Sequence, residues 1–222
     1  MSLFKAIIFD FNGVIIDDEP VHADLFIKVL YDEEITLTEK DYWETYLGFD
    51  DKGLFEALYK REGKKLTPKK LKELIEKKNH LYFPALQKKF KVFAGVSAFI
   101  AEVAKKYPLA VVSGALRSEI EFVLDKLGQK NLFEFIVSAD DTKHGKPDPE
   151  GYVMALAKLK KSHPEIKPET CLVIEDSLSG IEAAKRANMK VVALTHSYPK
   201  NELKNADWVF DSFDEIKSLV TS

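Results

Sequence analysis

Short apolar runs at residues 4–9, 109–112, 135–137, 171–174 and 191–194 each give way to a polar residue or a turn. Uninterrupted runs this short read as strands covered on both faces, the habit of a parallel sheet. Between them the period lengthens: Val96, Phe99, Ile100 and Val103 recur at helical spacing, as do Ile120, Val123 and Leu127, and further helical stretches fall near 150–161 and 178–188. Strands alternating with helices predict a parallel sheet with right-handed crossovers.

One segment breaks the alternation. Val21, Leu25 and Val29 share a helical face with Phe26 and Leu30 beside them, and helical patterns run on to about residue 90, with breaks near Gly48 and Gly63. No strand pattern interrupts them. The expectation is an α/β protein whose Rossmann-like core, 1–16 with 92–222, is split by a helical insertion over 17–91. Two linkers, near 15–19 and 91–95, would let the insertion move as a hinged body. The basic stretch around Thr67-Pro68 carries Lys64, Lys65, Lys69 and Lys70, but Thr-Pro is a helix-start signal and the lysines read as a solvated face.

Candidate chemistry sits where the predicted strands end, which is where open α/β sheets bind ligands. Asp10 follows the first run and leads into Phe11-Asn12-Gly13; Ser113-Gly114 follows the second; Lys146-Pro147-Asp148-Pro149 lies beyond the third; Glu175-Asp176 closes the fourth. Singly, each has a plainer account. Asp-x-Asn-Gly makes a turn, a serine caps a helix, a lysine is usually solvated, and an acidic pair suits a helix start.

In this order, over nearly the whole chain, the four segments resemble the four motifs of the haloacid dehalogenase-like hydrolase superfamily, in its β-phosphoglucomutase/phosphatase-like branch with a small helical cap. The resemblance implies that Asp10 is the nucleophile that takes a phosphoryl group as aspartyl-phosphate. It implies Mg2+ as cofactor, held by Asp10, the Asn12 carbonyl and Asp176, with Glu175 supporting or acting through water. Ser113 and Gly114 would bind phosphate, and Lys146 would set a cation against Asp10 and the phosphoryl oxygens. His22 resembles the cap histidine of the mutase-like members, and Lys78 with Asn79 resembles their substrate-contacting pair. His22 also reads as an ordinary first-turn helix residue and Lys78 as a solvent-facing one.

Two residues depart from the family pattern. Most members carry a second Asp where this chain has Asn12, and an amide cannot protonate a leaving alcohol or activate water. Asn12 therefore leaves three accounts open: a variant using another acid or base, with His22 the first candidate; a binding protein with weak catalysis; or a substitution introduced to stall turnover. Asp51 stands where the mutases hold a distal phosphate with Arg, leaving Lys52 as the nearest compensating cation. The expected function is a magnesium-dependent hydrolase of small phosphorylated metabolites, weakened by Asn12. The alternatives are a sugar-phosphate mutase and a non-catalytic phosphometabolite-binding protein. A metal-free dehalogenase fits less well, because the carboxylates of the magnesium pattern are kept.

Composition narrows the partners. With 222 residues, 45% of them apolar, the chain can bury a sizeable core. Lys and Arg number 33 against 36 Asp and Glu, too balanced for a broad basic field that would hold nucleic acid. The single cysteine, Cys171, lies in an apolar run and reads as a buried thiol. No apolar stretch approaches the ~20 residues that span a bilayer, and no cationic leader precedes the first run. The expectations are a cytoplasmic location, a small phosphorylated metabolite as partner, no nucleic acid and no membrane. Oligomeric state is left open, a monomer being compatible with the pattern.

Overall fold

A computed structural model describes residues 3–47, 49 and 51–221; the break expected near Gly48 lies outside the described residues. The chain divides into two compact units, Met1–Asp17 with Val92–Ser222, and Asp18–Lys91.

The larger unit is built on strands β1 (Ala6–Phe9), β2 (Leu109–Val112), β3 (Phe133–Val137), β4 (Cys171–Glu175), β5 (Lys190–Leu194) and β6 (Trp208–Phe210). They form a parallel sheet in the order β3-β2-β1-β4-β5-β6. All of β1, β2 and β4 is buried, as uniform apolar runs require of central parallel strands. The chain starts in mid-sheet, moves out through β2 and β3, then returns to the other side of β1 with β4. That reversal opens a crevice at the carboxyl ends of β1 and β4. Phe9 pairs with Ile174 and the Asp10 amide donates to the Ile174 carbonyl at 2.9 Å, so Asp10 lies level with Glu175.

Differences from the expected strands have local causes. The first strand begins at Ala6 rather than residue 4, because exposed Lys5 turns its amide to the Thr170 carbonyl at 2.8 Å. Phe4 is buried nonetheless, edge-on to Trp208. β3 begins two residues early. Exposed Glu134 interrupts its apolar run, and the register with β2 shifts between Leu109 and Ala110. The edge strand β6 is half-buried along its length and has no uniform apolar signature.

The smaller unit contains α1 (Glu19–Tyr31), α2 (Glu39–Asp41) running into a π-helical turn at Tyr42–Tyr46, α3 (Asp51–Arg61) and α4 (Pro68–Lys88). Thr67 caps α4 by accepting from the Lys70 amide at 3.2 Å, with Pro68 in the first turn, as the Thr-Pro signal predicts. Phe26, Tyr42, Phe55, Leu58 and Leu74 make its core. The basic stretch is a solvated face as expected, with Lys64, Lys65 and Lys69 exposed, although the ammonium of Lys64 donates to the Glu33 carbonyl at 2.5 Å and that of Lys70 to the Glu33 carboxylate at 2.7 Å. Both lysines thus tie down the chain after α1.

Helices α5 (Val96–Val103), α6 (Arg117–Lys126), α7 (Glu150–Ser162), α8 (Leu178–Arg186) and α9 (Phe213–Thr221) belong to the larger unit. Its two ends next to the inserted segment are bound together. Ile16 and Val92 form an antiparallel bridge and the Phe93 amide donates to the Ile15 carbonyl at 3.3 Å. Among the described residues no helix is long and apolar enough to cross a membrane.

Asp207 anchors the far edge of the sheet, its carboxylate accepting from the Val191 amide at 2.9 Å and from Lys185 and Lys190 at 2.8 and 3.0 Å. Burial alone would push this carboxyl up, but the Lys185, Val191 and Lys190 bonds outweigh it and hold it below the usual range. A depressed carboxyl contributes stability above its unfolded pKa and loses it as pH falls through the folded one. Asp207→Asn is expected to cost about 1–2 kcal/mol at pH 7, and the difference should shrink as pH falls below the usual carboxylate range, as urea denaturation at neutral and acid pH would measure.

Candidate active site

After β1 the backbone folds back in a tight turn. The Phe11 carbonyl accepts from the amides of Ile15 and Ile16 at 2.8 and 3.1 Å, and the Gly13 amide donates to the Ile16 carbonyl at 3.0 Å. Gly13 adopts φ +73°, and a Cβ there would fall 1.9 Å from an Asp176 carboxylate oxygen. Both conformation and space therefore demand glycine. The result is close approach of the turn that carries Asp10 and Asn12 to the end of β4.

Glu175 ends β4 with no exposed surface. One carboxylate oxygen accepts from Lys146 at 2.5 Å and the Tyr152 hydroxyl at 2.8 Å. The other accepts from the Asp176 and Ser177 amides at 3.1 and 3.2 Å and the Ser177 hydroxyl at 3.0 Å. Ser177 also caps α8, accepting from the Gly180 amide at 3.1 Å, so Glu175 sits where the helix end favours negative charge. Lys146 is mostly buried and bridges to Asp10 at 2.6 Å. Asp176 accepts from the Ser197 hydroxyl.

Ser113 follows β2, its amide on the Val137 carbonyl at 2.9 Å. Its hydroxyl accepts from the Ala115 amide at 3.1 Å and donates to the Asn12 side-chain oxygen at 3.3 Å. A Cβ at Gly114 would meet nothing within 4 Å, leaving open space beside Ser113. The next helix does not follow at once. It starts at Arg117, whose amide already donates to Asp140 at 2.9 Å.

Electrostatics single out this cluster. Carboxylate oxygens of Asp10, Glu175 and Asp176, all buried, lie within 4.8 Å of one another. Burial pushes Asp10 up to about 7, with the Glu175 charge adding and Lys146 opposing. Burial, Glu175 and Asp10 together drive Asp176 well above the carboxylate range. Glu175 goes the other way: burial would raise it, but the Lys146 charge and hydrogen bonds prevail and hold it low. Burial alone would lower the Lys146 pKa, yet its two carboxylate partners raise it instead. One lysine thus faces three acids, and an added dication is the natural means of ionising all of them. Hard oxygen donors of this kind suit magnesium.

The sequence-predicted residues Asp10, Asn12, Ser113, Lys146, Glu175 and Asp176 come together in the larger unit, with Gly114 next to Ser113. His22 and Lys78 belong to the smaller one. Lys78 is not solvent-facing: it is 2% exposed, packs over the Phe26 ring and donates to Asp51 at 2.6 Å. Its ammonium also lies 2.9 Å from Nδ1 of His22, whose Nε2 is 3.1 Å from Asp18. An ammonium only donates, so His22 accepts at Nδ1 and carries its proton on Nε2 toward Asp18. Tyr82 stacks on the same ring. Lys52 pairs loosely with Glu56 at 3.9 Å.

Sequence reasoning missed Tyr152, Ser177, Ser197 and His196. His196 donates from Nδ1 to the Gly13 carbonyl at 2.7 Å and stacks on Phe93, ring centres 3.7 Å apart. Ser177 alone carried a signal, as a serine directly before a helical run.

A family model described as haloacid dehalogenase-like hydrolase matches residues 7–194. The chain is 31% identical to a phosphorylated carbohydrates phosphatase of Thermotoga maritima over 87% of this chain and 86% of that protein. It is 27% identical to a phosphoglycolate phosphatase of Colwellia psychrerythraea over 96% and 95%. The crystal structure of β-phosphoglucomutase from Clostridium difficile superposes with a TM-score of 0.76 at 24% identity, covering 98% of this chain and 97% of that one, a likeness of fold.

Charge crowding predicts opposite responses to metal. In chelator, Asp176→Asn should melt close to the parent temperature, because burial and the neighbouring carboxylates already hold Asp176 protonated there. With magnesium the parent should gain several degrees and the variant almost none. Gly180→Ala tests the packing behind Glu175. Alanine normally favours a helix by about 1 kcal/mol, but a Cβ here would lie 1.8 Å from the pinned Glu175 carboxylate. A net loss of stability is expected on denaturant titration.

Proposed function

The chain belongs to the haloacid dehalogenase-like hydrolase family, and we propose that it hydrolyses small phosphorylated metabolites with magnesium through an aspartyl-phosphate on Asp10. The observation that carries this reading is Lys146 bridging buried Asp10 and Glu175 beside Asp176, at the point where the sheet order reverses. Named activities of relatives, on phosphorylated carbohydrates and phosphoglycolate, support a phosphomonoester as substrate.

Asp10, Asp176 and the Asn12 carbonyl would hold the ion, with Glu175 behind them, and the ion when bound would offset charge on the carboxylates and phosphoryl oxygens. Asp10 attacks phosphorus and the ester P–O bond breaks; the departing alkoxide takes a proton from water. Water then attacks phosphorus, the Asp10–phosphate bond breaks, and inorganic phosphate leaves with Asp10 again a carboxylate. Lys146 orients Asp10 and lowers its repulsion toward an anionic substrate. The Ser113 hydroxyl and the space beside Gly114 suit the transferring phosphoryl group. We assign the helical unit, with His22 and Lys78, to substrate selection.

Lys78 has its charge balanced by Asp51, which favours a monophosphate over the bisphosphate a mutase must turn around. Both ring nitrogens of His22 have partners in the smaller unit, which supports the reading that Asn12 limits turnover. An Asp at position 12 could accept the same Ser113 hydrogen bond while adding a titratable proton.

Asn12→Asp should therefore raise phosphatase turnover by roughly 10²–10⁴-fold on alkyl phosphates, and less on an activated aryl phosphate, which needs no acid. Phosphate release across a panel of metabolites, from both proteins, measures this. Brisk parental turnover of alkyl phosphates, unchanged by the substitution, would mean that another group moves the proton.

A further inference from the structure

The residues that follow β5 have no part in the chemistry above, yet two neighbours among them grip the site. His196 donates from Nδ1 to the Gly13 carbonyl at 2.7 Å, and the Ser197 hydroxyl donates to Asp176. The imidazole face lies almost parallel to Phe93, tilted by 7° with ring centres 3.7 Å apart. Phe93 is itself bound by its amide to the Ile15 carbonyl at 3.3 Å. The ring therefore holds the turn that begins at Asp10 directly at Gly13, and its stacking partner Phe93 bonds the same turn at Ile15.

Peptide geometry says what this grip controls. In a trans peptide the carbonyl and the following N–H point in opposite directions. The Gly13 N–H is directed to the Ile16 carbonyl at 3.0 Å, so the Asn12 carbonyl faces away from the turn. The next peptide plane is held by the His196 bond to the Gly13 carbonyl. Gly13 has φ +73° and, as glycine, the freedom to rotate into other conformations at little cost. Two hydrogen bonds, one on each side of its Cα, remove that freedom.

We propose that His196 is a positioning residue: its ring N–H, steadied by the stack on Phe93, locks the Asn12-Gly13 peptides so that the Asn12 carbonyl and Asp10 present oxygens to a divalent cation together. The inference rests on the magnesium reading above. It assigns His196 no contact with substrate or ion.

Two substitutions separate the hydrogen bond from the stack. His196→Phe keeps an aromatic face on Phe93 and loses the donor; His196→Asn keeps a donor at the Nδ1 position and loses the ring. Calorimetric titration of magnesium alone into each protein is the readout, with melting in chelator to show that each is folded. Outer-shell partners of metal ligands are worth about 10–100-fold in affinity. His196→Phe should therefore weaken magnesium by at least about 10-fold while melting near the parent, and His196→Asn should recover most of the loss. Parental affinity in His196→Phe, or equal loss in both variants, would overturn the proposal. Asp176→Ala, titrated alongside, tells the two failures apart. If it loses magnesium while His196→Phe does not, the positioning role alone is wrong. If it also binds as the parent does, the metal site is elsewhere and the His196 role falls with it.

Discussion

Burying the carboxylates of Asp10, Glu175 and Asp176 within 4.8 Å of one another, with Lys146 the cation bonded to two of them, is the constraint to which the rest of the larger unit answers. Like charges at this range, removed from water, repel strongly enough to hold protons that ordinary carboxyls release. The protein divides the burden unequally. Glu175 receives the lysine, a tyrosine hydroxyl, two amides and the α8 cap and stays ionised. Asp10 shares the lysine, and Asp176 has the Ser197 hydroxyl, so these two await another cation.

The fold makes that crowding possible. A parallel sheet delivers β1 and β4 side by side in register, so consecutive acids at the end of one strand meet the acid at the end of the next. Close approach then needs two glycines. Gly13 and Gly180 lie against Asp176 and Glu175 respectively, where any Cβ would occupy the carboxylate's place. The same arrangement that raises Asp10 to about 7 makes it respond to a neighbouring charge, which suits the nucleophilic role proposed for it.

Much of this was legible in the sequence, and the reasons differ by residue. The central strands could be read because burial on both faces leaves uniform apolar runs. The candidate site residues of the larger unit could be grouped because four segments at or beyond the ends of those runs resemble, in order, the motifs of one family; Lys146, well beyond the end of β3, is placed by that resemblance alone. β6 and the start of β3 were hidden, since edge strands admit exposed residues such as Glu134. Tyr152, Ser197 and His196 come from a helix and a loop without a motif, and only tertiary packing brings them to the acids. Lys78 reads in sequence either as a substrate contact or as solvent-facing, and its burial is not foreseen, because nothing local announces its partners Asp51 and His22, both far from it in sequence.

The central claim is that Asp10 carries the phosphoryl group, and it can be tested on the protein as it stands. Because Asn12 should slow hydrolysis more than formation of the intermediate, the account predicts that acid quenching during reaction with an activated aryl phosphate and magnesium leaves a phosphate adduct. Mass spectrometry of peptides should place that adduct on Asp10, with none in Asp10→Asn. Steady turnover of the aryl phosphate with an unmodified Asp10 peptide, or an adduct on another residue, would contradict it.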